Sequence, residues 1–192
     1  MKVELSSIED VSELTVILDS TGFKMTDAGS WINYLYGKNK NYLKAHAAID
    51  AKTGKLIGIV VTGRDTHDSE MGVFLVEGVA FKVLIADGAY DTRDMFNLVA
   101  KKNAIPIIKI RKNASTRSLG SPLRARSVRE VKKIGQGMWK EKYEYGRRWR
   151  IESYFSAVKR SFGEGTTAKR FDMAQKEVMM KFLLYDQLQQ LV

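Results

Sequence analysis

The sequence predicts an α/β fold: a mixed sheet of five strands flanked by helices. Short apolar runs bounded by turn residues alternate, from the middle of the chain onward, with stretches of helical period, in the order β-β-β-α-β-α-β-α-α. The chain is also long enough for one domain with a core, with 192 residues of which 44% are apolar.

"LTVILDST", residues 14–21, is a continuous apolar run with β-branched residues that ends in an acid and small polar residues, as a strand buried on both faces would. It reads as a central strand. "LKAHAAIDAKTGKLIGIVVTGRD" holds two strands joined at Asp50 to Gly54, whose Asp and Gly suit the turn of an antiparallel hairpin. Residues 67–79 begin a helix, with Asp68 or Ser69 as its cap. "FKVLIADGAYD" is a buried strand ending in a turn, and "TRDMFNLVAKKN" a helix with Met95, Phe96 and Val99 on one face and Asp91 as its cap. "IPIIKIR" is the fifth strand, with Pro106 at its start, where a missing N–H does least harm. Residues 112–136 read as a basic loop with a short helix in "VREVKKI". Two helices finish the chain, at about 146–162 and 172–190, the second with Met173, Val178, Met179, Phe182, Leu183 and Leu188 as its apolar face.

The chain has no cysteine, so disulfides and thiolate metal sites are excluded. No apolar run approaches the roughly 18 residues of a membrane span, and the expectation is a cytoplasmic protein with no membrane partner. Its net charge of +10 is uneven, because residues 109–170 hold 18 Lys and Arg against five Glu. A field of that sign concentrates polyanions, and nucleic acid is the first partner to consider.

Acids sit where open α/β sheets place chemistry: Asp19 within the first strand run and Asp87 at the carboxyl end of the fourth. A strand-end Asp also serves to start a turn, but a carboxylate in the apolar setting of Leu18 and Ala86 needs a partner or a cation. A third acid lies in "YEYGRRWRIESYFSAVKR". At helical pitch Arg148, Glu152 and Lys159 all fall within about 60° of Tyr145 around the axis. They form one stripe beside the apolar face of Ile151, Tyr154, Phe155, Val158 and Phe162. Arg148 and Glu152 alone would be an ordinary i to i+4 surface pair. Lys44 and His46 fall in phase on one side of their strand, with His46 read as structural, and Asp65, His67 and Asp68 lack metal-ligand spacing. Trp139 and Trp149 read as packing residues, although Trp149, beside Arg148, is placed to touch DNA.

Tyr, two residues, Arg, three residues, Glu, six residues, Lys resembles the signature of insertion-sequence transposases of the DDE class, and Tyr145, Arg148, Glu152 and Lys159 match it without a gap. "VILDSTGFK", "LKAHAAIDAKTGKLIG", "HDS" and "IADGAYDTRDMF" are similar to the family's upstream blocks. The resemblance implies an RNase H-like fold in which Asp19, Asp87 and Glu152 are catalytic and hold two Mg²⁺ ions, with Mn²⁺ able to substitute. It also implies DNA transposition: water frees a 3′-hydroxyl at the transposon end, and that hydroxyl attacks target DNA. Arg148 and Lys159 would grip backbone phosphates, with Tyr145 offering a hydroxyl or a stacking face. The implied partners are transposon ends, target DNA and a second copy in a synaptic complex.

Asp19 follows close on the first residue, so the helical DNA-binding region of relatives is expected to be absent, and residues 1–192 are expected to form a single catalytic domain. The 65 positions from Asp87 to Glu152 are too few for the β-rich insertion of some subgroups. Arg124, Arg126 and Arg129 of the basic loop are therefore expected to take over phosphate contacts. The alternatives are a truncated or inactive remnant that binds DNA without transposing, and a nuclease on the same fold.

Overall fold

The computed structural model describes residues 2–4, 14–25 and 42–191. Residues 5–13, where a DNA-binding region ahead of Asp19 would be judged, lie outside the described residues. Strands β1 (Lys2–Glu4), β2 (Thr15–Met25), β3 (Tyr42–Asp50), β4 (Leu56–Gly63), β5 (Val83–Ala86) and β6 (Ile105–Ile108) lie in the order β1-β4-β3-β2-β5-β6. The two-residue β7 (Gly165–Thr166) pairs with the far end of β2. β2 pairs antiparallel with β3 and parallel with β5, so the sheet is mixed and β2 is central. The five expected strands run side by side from β4 to β6; β1 and β7 are additions too short to leave a pattern in the sequence.

The hairpin turns where Asp50 and Gly54 suggested. The Asp50 carboxylate accepts from the backbone N–H of Lys52 at 3.0 Å and of Thr53 at 2.9 Å, and Gly54 takes the positive φ of 79° that closes the turn. The apolar faces of both sheet sides then join one hydrophobic cluster running from Leu14 to Phe182.

Helices α1 (Asp68–Val76), α2 (Arg93–Lys101), α3 (Pro122–Ile134), α4 (Gln136–Lys142), α5 (Trp149–Phe162) and α6 (Phe171–Gln189) cover the sheet. Ile151, Tyr154, Phe155 and Val158 of α5 are buried, as their spacing predicts. Several local expectations are corrected. The stretch read as a basic loop over 112–136 is helical from Pro122, because proline at the first helical position lacks only an N–H that would be unpaired anyway. Ala125, Val128 and Val131 give that helix a buried stripe three residues apart. The cap of α2 is Thr92, whose hydroxyl oxygen accepts from the N–H of Met95, and not Asp91. Neither Asp68 nor Ser69 caps α1; the cap position is His67, and the Asp68 carboxylate turns to β3. On α6, Met173 and Leu188 face outward while Ala174, Val178, Met179 and Phe182 are buried. Trp149 is 64% exposed and is not a packing residue, whereas Trp139 is buried.

Candidate active site and nucleic-acid interface

Asp19 and Asp87 reach the same place because β2 and β5 run parallel. Leu18 and Ala86 are the last matched pair, and each aspartate is the next residue of its chain. Beyond that pair the strands part. On this side β2 meets no strand among the described residues until Lys24 and Met25 pair with Gly165 and Thr166 of β7. A notch is left from Asp19 to Phe23.

α5 and the turn before it close over this notch. Tyr145 to Arg148 form a single 3₁₀ turn that leads into α5, so Arg148 enters from the helix start. Its guanidinium donates to the carboxylates of both Asp19 and Glu152. Further along, Lys159 Nζ stands 5.2 Å from the centre of the Phe23 ring. Arg148 and Lys159 therefore sit at the two ends of the notch. Tyr145 lies beside Arg148, buried, its ring 5.6 Å from that of Trp139 and 5.9 Å from the Arg148 guanidinium carbon. Burial pushes its hydroxyl up to about 12. A ring so enclosed supports Arg148 and is not free to stack on a base.

The Asp19 side chain is 16% exposed and that of Glu152 is 55% exposed. Burial raises the Asp19 carboxyl to about 6, with Asp87 and Glu152 adding to the rise and the Ser20 N–H and Arg148 opposing it. An exposed i to i+4 pair such as Arg148 with Glu152 is worth under about 1 kcal/mol by itself. The same guanidinium, however, neutralises a half-enclosed carboxylate that two other acids repel. The arrangement is thus more than the surface pair that spacing alone allowed.

The turn after Asp87 is braced separately. Asp87 Oδ1 accepts from the Ala89 N–H at 2.8 Å, and Arg111 donates to the Gly88 carbonyl at 2.7 Å and the Ala89 carbonyl at 3.1 Å. On the other flank, His46 is fully buried, with Nε2 2.9 Å from the Thr62 hydroxyl and Nδ1 3.1 Å from Asp68. Lys44 Nζ donates to Asp68 at 2.8 Å, so the in-phase pair on β3 converges on one carboxylate. Arg111 carries structure here that sequence reasoning missed, and Asp68, read as a helix cap, instead serves as the shared partner of Lys44 and His46.

The three basic-segment arginines divide. Arg124 binds the buried Asp91 carboxylate through two donors, at 2.6 and 3.0 Å, so its charge is used inside the protein. Arg126 and Arg129 are exposed on α3. Among the described residues no three His, Cys, Asp or Glu side chains are gathered closely enough to hold a metal ion. The Arg148 guanidinium lies between two of the expected ligands. No described helix is long and apolar enough to cross a membrane.

A mixed sheet of this order, flanked by helices and carrying aspartates where the parallel strands β2 and β5 part, is an RNase H-like fold. Residues 11–186 match the family model described as transposase DDE domain, and the chain belongs to that family. It is a DDE-class transposase domain, and DNA is the substrate of its family.

Proposed function

We propose that this chain cuts DNA strands at the ends of an insertion sequence and joins the freed 3′-hydroxyl to target DNA, with Asp19, Asp87 and Glu152 as its reactive carboxylates. The observation that carries this reading is the single guanidinium held by Asp19 and Glu152 beside Asp87. Asp19, Asp87 and Glu152 come from separate elements, and the shared guanidinium offsets the repulsion that Asp87 and Glu152 exert on Asp19.

An all-oxygen donor set of that kind fits a hard divalent cation. Asp19, Asp87 and Glu152 would hold two Mg²⁺ ions, or Mn²⁺ in their place, which when bound supply charge that activates an attacking oxygen and stabilises a leaving one. The chain's own part is positioning. The middle of β2 and the end of β5 hold Asp19 and Asp87 in fixed relation, while α5 brings Glu152 from above. Arg148, released from the carboxylates, is suited to a phosphate next to the scissile bond, and Lys159 to another further along the notch. Exposed Arg126 and Arg129, and the Trp149 indole, extend the DNA-facing surface. Two copies would pair the two ends of the element.

Glu152→Gln tests the reading. It keeps the side chain's size and removes its charge, so nicking of a plasmid carrying the element's ends should fall at least 1,000-fold on the order of one lost catalytic group. DNA affinity and melting temperature should stay near wild type. A Glu152→Gln protein that nicks at the wild-type rate in Mg²⁺ would overturn the assignment.

A further inference from the structure

Beneath the two aspartates lies a group the proposed chemistry does not use. Tyr90, three residues after Asp87, is 1% exposed, and its hydroxyl has no hydrogen-bond partner among the described residues. Burial pushes that hydroxyl well above the usual phenol range, the charges of Asp68, Asp19 and Asp87 push it further, and Arg148 opposes them. A buried donor without an acceptor is unfavourable. The chain nevertheless gives up a side chain to accommodate it: a Cβ at Gly72, inside α1, would lie 2.5 Å from Tyr90 Cε1 and 2.7 Å from Cδ1. Glycine within a helix weakens that helix, so its place here follows from the ring.

The same helix is tied to the other aspartate. Asp68, its first residue, holds Lys44 and His46 of β3, which pair in register with Gly22 and Ser20 of β2, the strand of Asp19. α1 therefore grips the strand of Asp19 at its start and the turn of Asp87 in its middle.

We propose that Tyr90 is a positioning residue for the reaction: seated against Gly72, it sets the spacing of Asp19 and Asp87, and its hydroxyl is held ready to donate to them when Arg148 turns to DNA. This rests on the reading of Asp19 and Asp87 as reactive carboxylates. Reactive geometry tolerates little error, and a displacement of about 1 Å costs about 100-fold in rate.

Tyr90→Phe and Gly72→Ala, with Asp87→Ala as control, test it in the full chain. The measurements are single-turnover nicking of a supercoiled plasmid carrying the gene and its flanking DNA, anisotropy of a labelled duplex, thermal unfolding, and Mn²⁺ binding by calorimetry. Tyr90→Phe should melt at or above the wild-type temperature and bind DNA equally, yet nick about tenfold more slowly. A purely structural tyrosine would not separate these readouts. Gly72→Ala should slow nicking about 100-fold and weaken Mn²⁺ binding, and should add nothing in a Tyr90→Leu background, where the clash is gone. If Gly72→Ala does not fold, Tyr90→Phe still decides. Wild-type nicking by Tyr90→Phe, while Asp87→Ala is inactive, overturns the inference alone. Nicking by Asp87→Ala, or a wild type that neither nicks nor binds Mn²⁺, overturns the reading beneath it and the inference together.

Discussion

Replacing Arg148 with glutamine removes the guanidinium that Asp19 and Glu152 share, and the cost can be bounded from the site. Ionised Asp19 already destabilises the fold by about 3 kcal/mol, since its carboxyl stands at about 6 against 3.8 and each unit is worth about 1.4 kcal/mol. Without Arg148 the carboxyl rises further. The penalty cannot exceed that of protonating the group, which at pH 7 is about 4 kcal/mol for an unfolded value of 3.8. The charge effect at Asp19 is thus capped at about 1 to 1.5 kcal/mol at pH 7. At pH 5 Asp19 is largely protonated in both proteins, and only the exposed Glu152 contact is left, worth under about 1 kcal/mol. Urea unfolding in EDTA at pH 5 and pH 7 measures both quantities. A loss of the same size at the two pH values would refute this account and assign Arg148's contribution to its packing on Tyr145.

Asp19→Asn addresses the same carboxyl from the other side. Because its folded value lies above the unfolded one, Asp19 contributes stability that is full below about pH 4 and lost as pH rises through about 6. The wild type should therefore lose about 2.5 kcal/mol more than the variant between pH 4 and pH 7, and Mg²⁺ should raise the melting temperature of the variant less. Arg124→Ala should cost about 3 to 5 kcal/mol in urea unfolding by stranding the buried Asp91 charge; a loss under 1 kcal/mol would show that this pair carries little. Arg126→Ala with Arg129→Ala should instead leave stability alone and flatten the log-log salt dependence of DNA binding by about two units, and an unchanged slope would place the phosphate contacts elsewhere.

Much of the architecture was legible because burial leaves periodic traces. Val16 to Leu18 are buried on both faces of a central strand, and the stripe of Ile151, Tyr154, Phe155 and Val158 marked the buried side of α5. The pairing of Arg148 with Glu152 followed from spacing, but its second bond did not. Asp19 lies 129 positions from Arg148, and no local pattern encodes a contact of that range. Long-range partners also explain the other misses. Arg124 read as a free cation because Asp91 is 33 positions away, and nothing local in the sequence sets Gly72 apart, because its reason is the ring of Tyr90. The helix from Pro122 was hidden by a composition of Ser, Arg and Gly that resembles a loop until Ala125, Val128 and Val131 are seen to face the core.

The parting of β2 from its neighbours sets a length scale. From Asp19 to Phe23 the open edge extends four residue steps, or about 13 Å at roughly 3.3 Å per residue. At about 3.4 Å per nucleotide along a DNA strand, that span matches about four nucleotides. If the proposed site is the reactive one, the footprint at the reacting phosphate is short, and a site of this width reads little sequence. On the proposed reading, discrimination of one DNA end from another would then have to come from surface outside the notch.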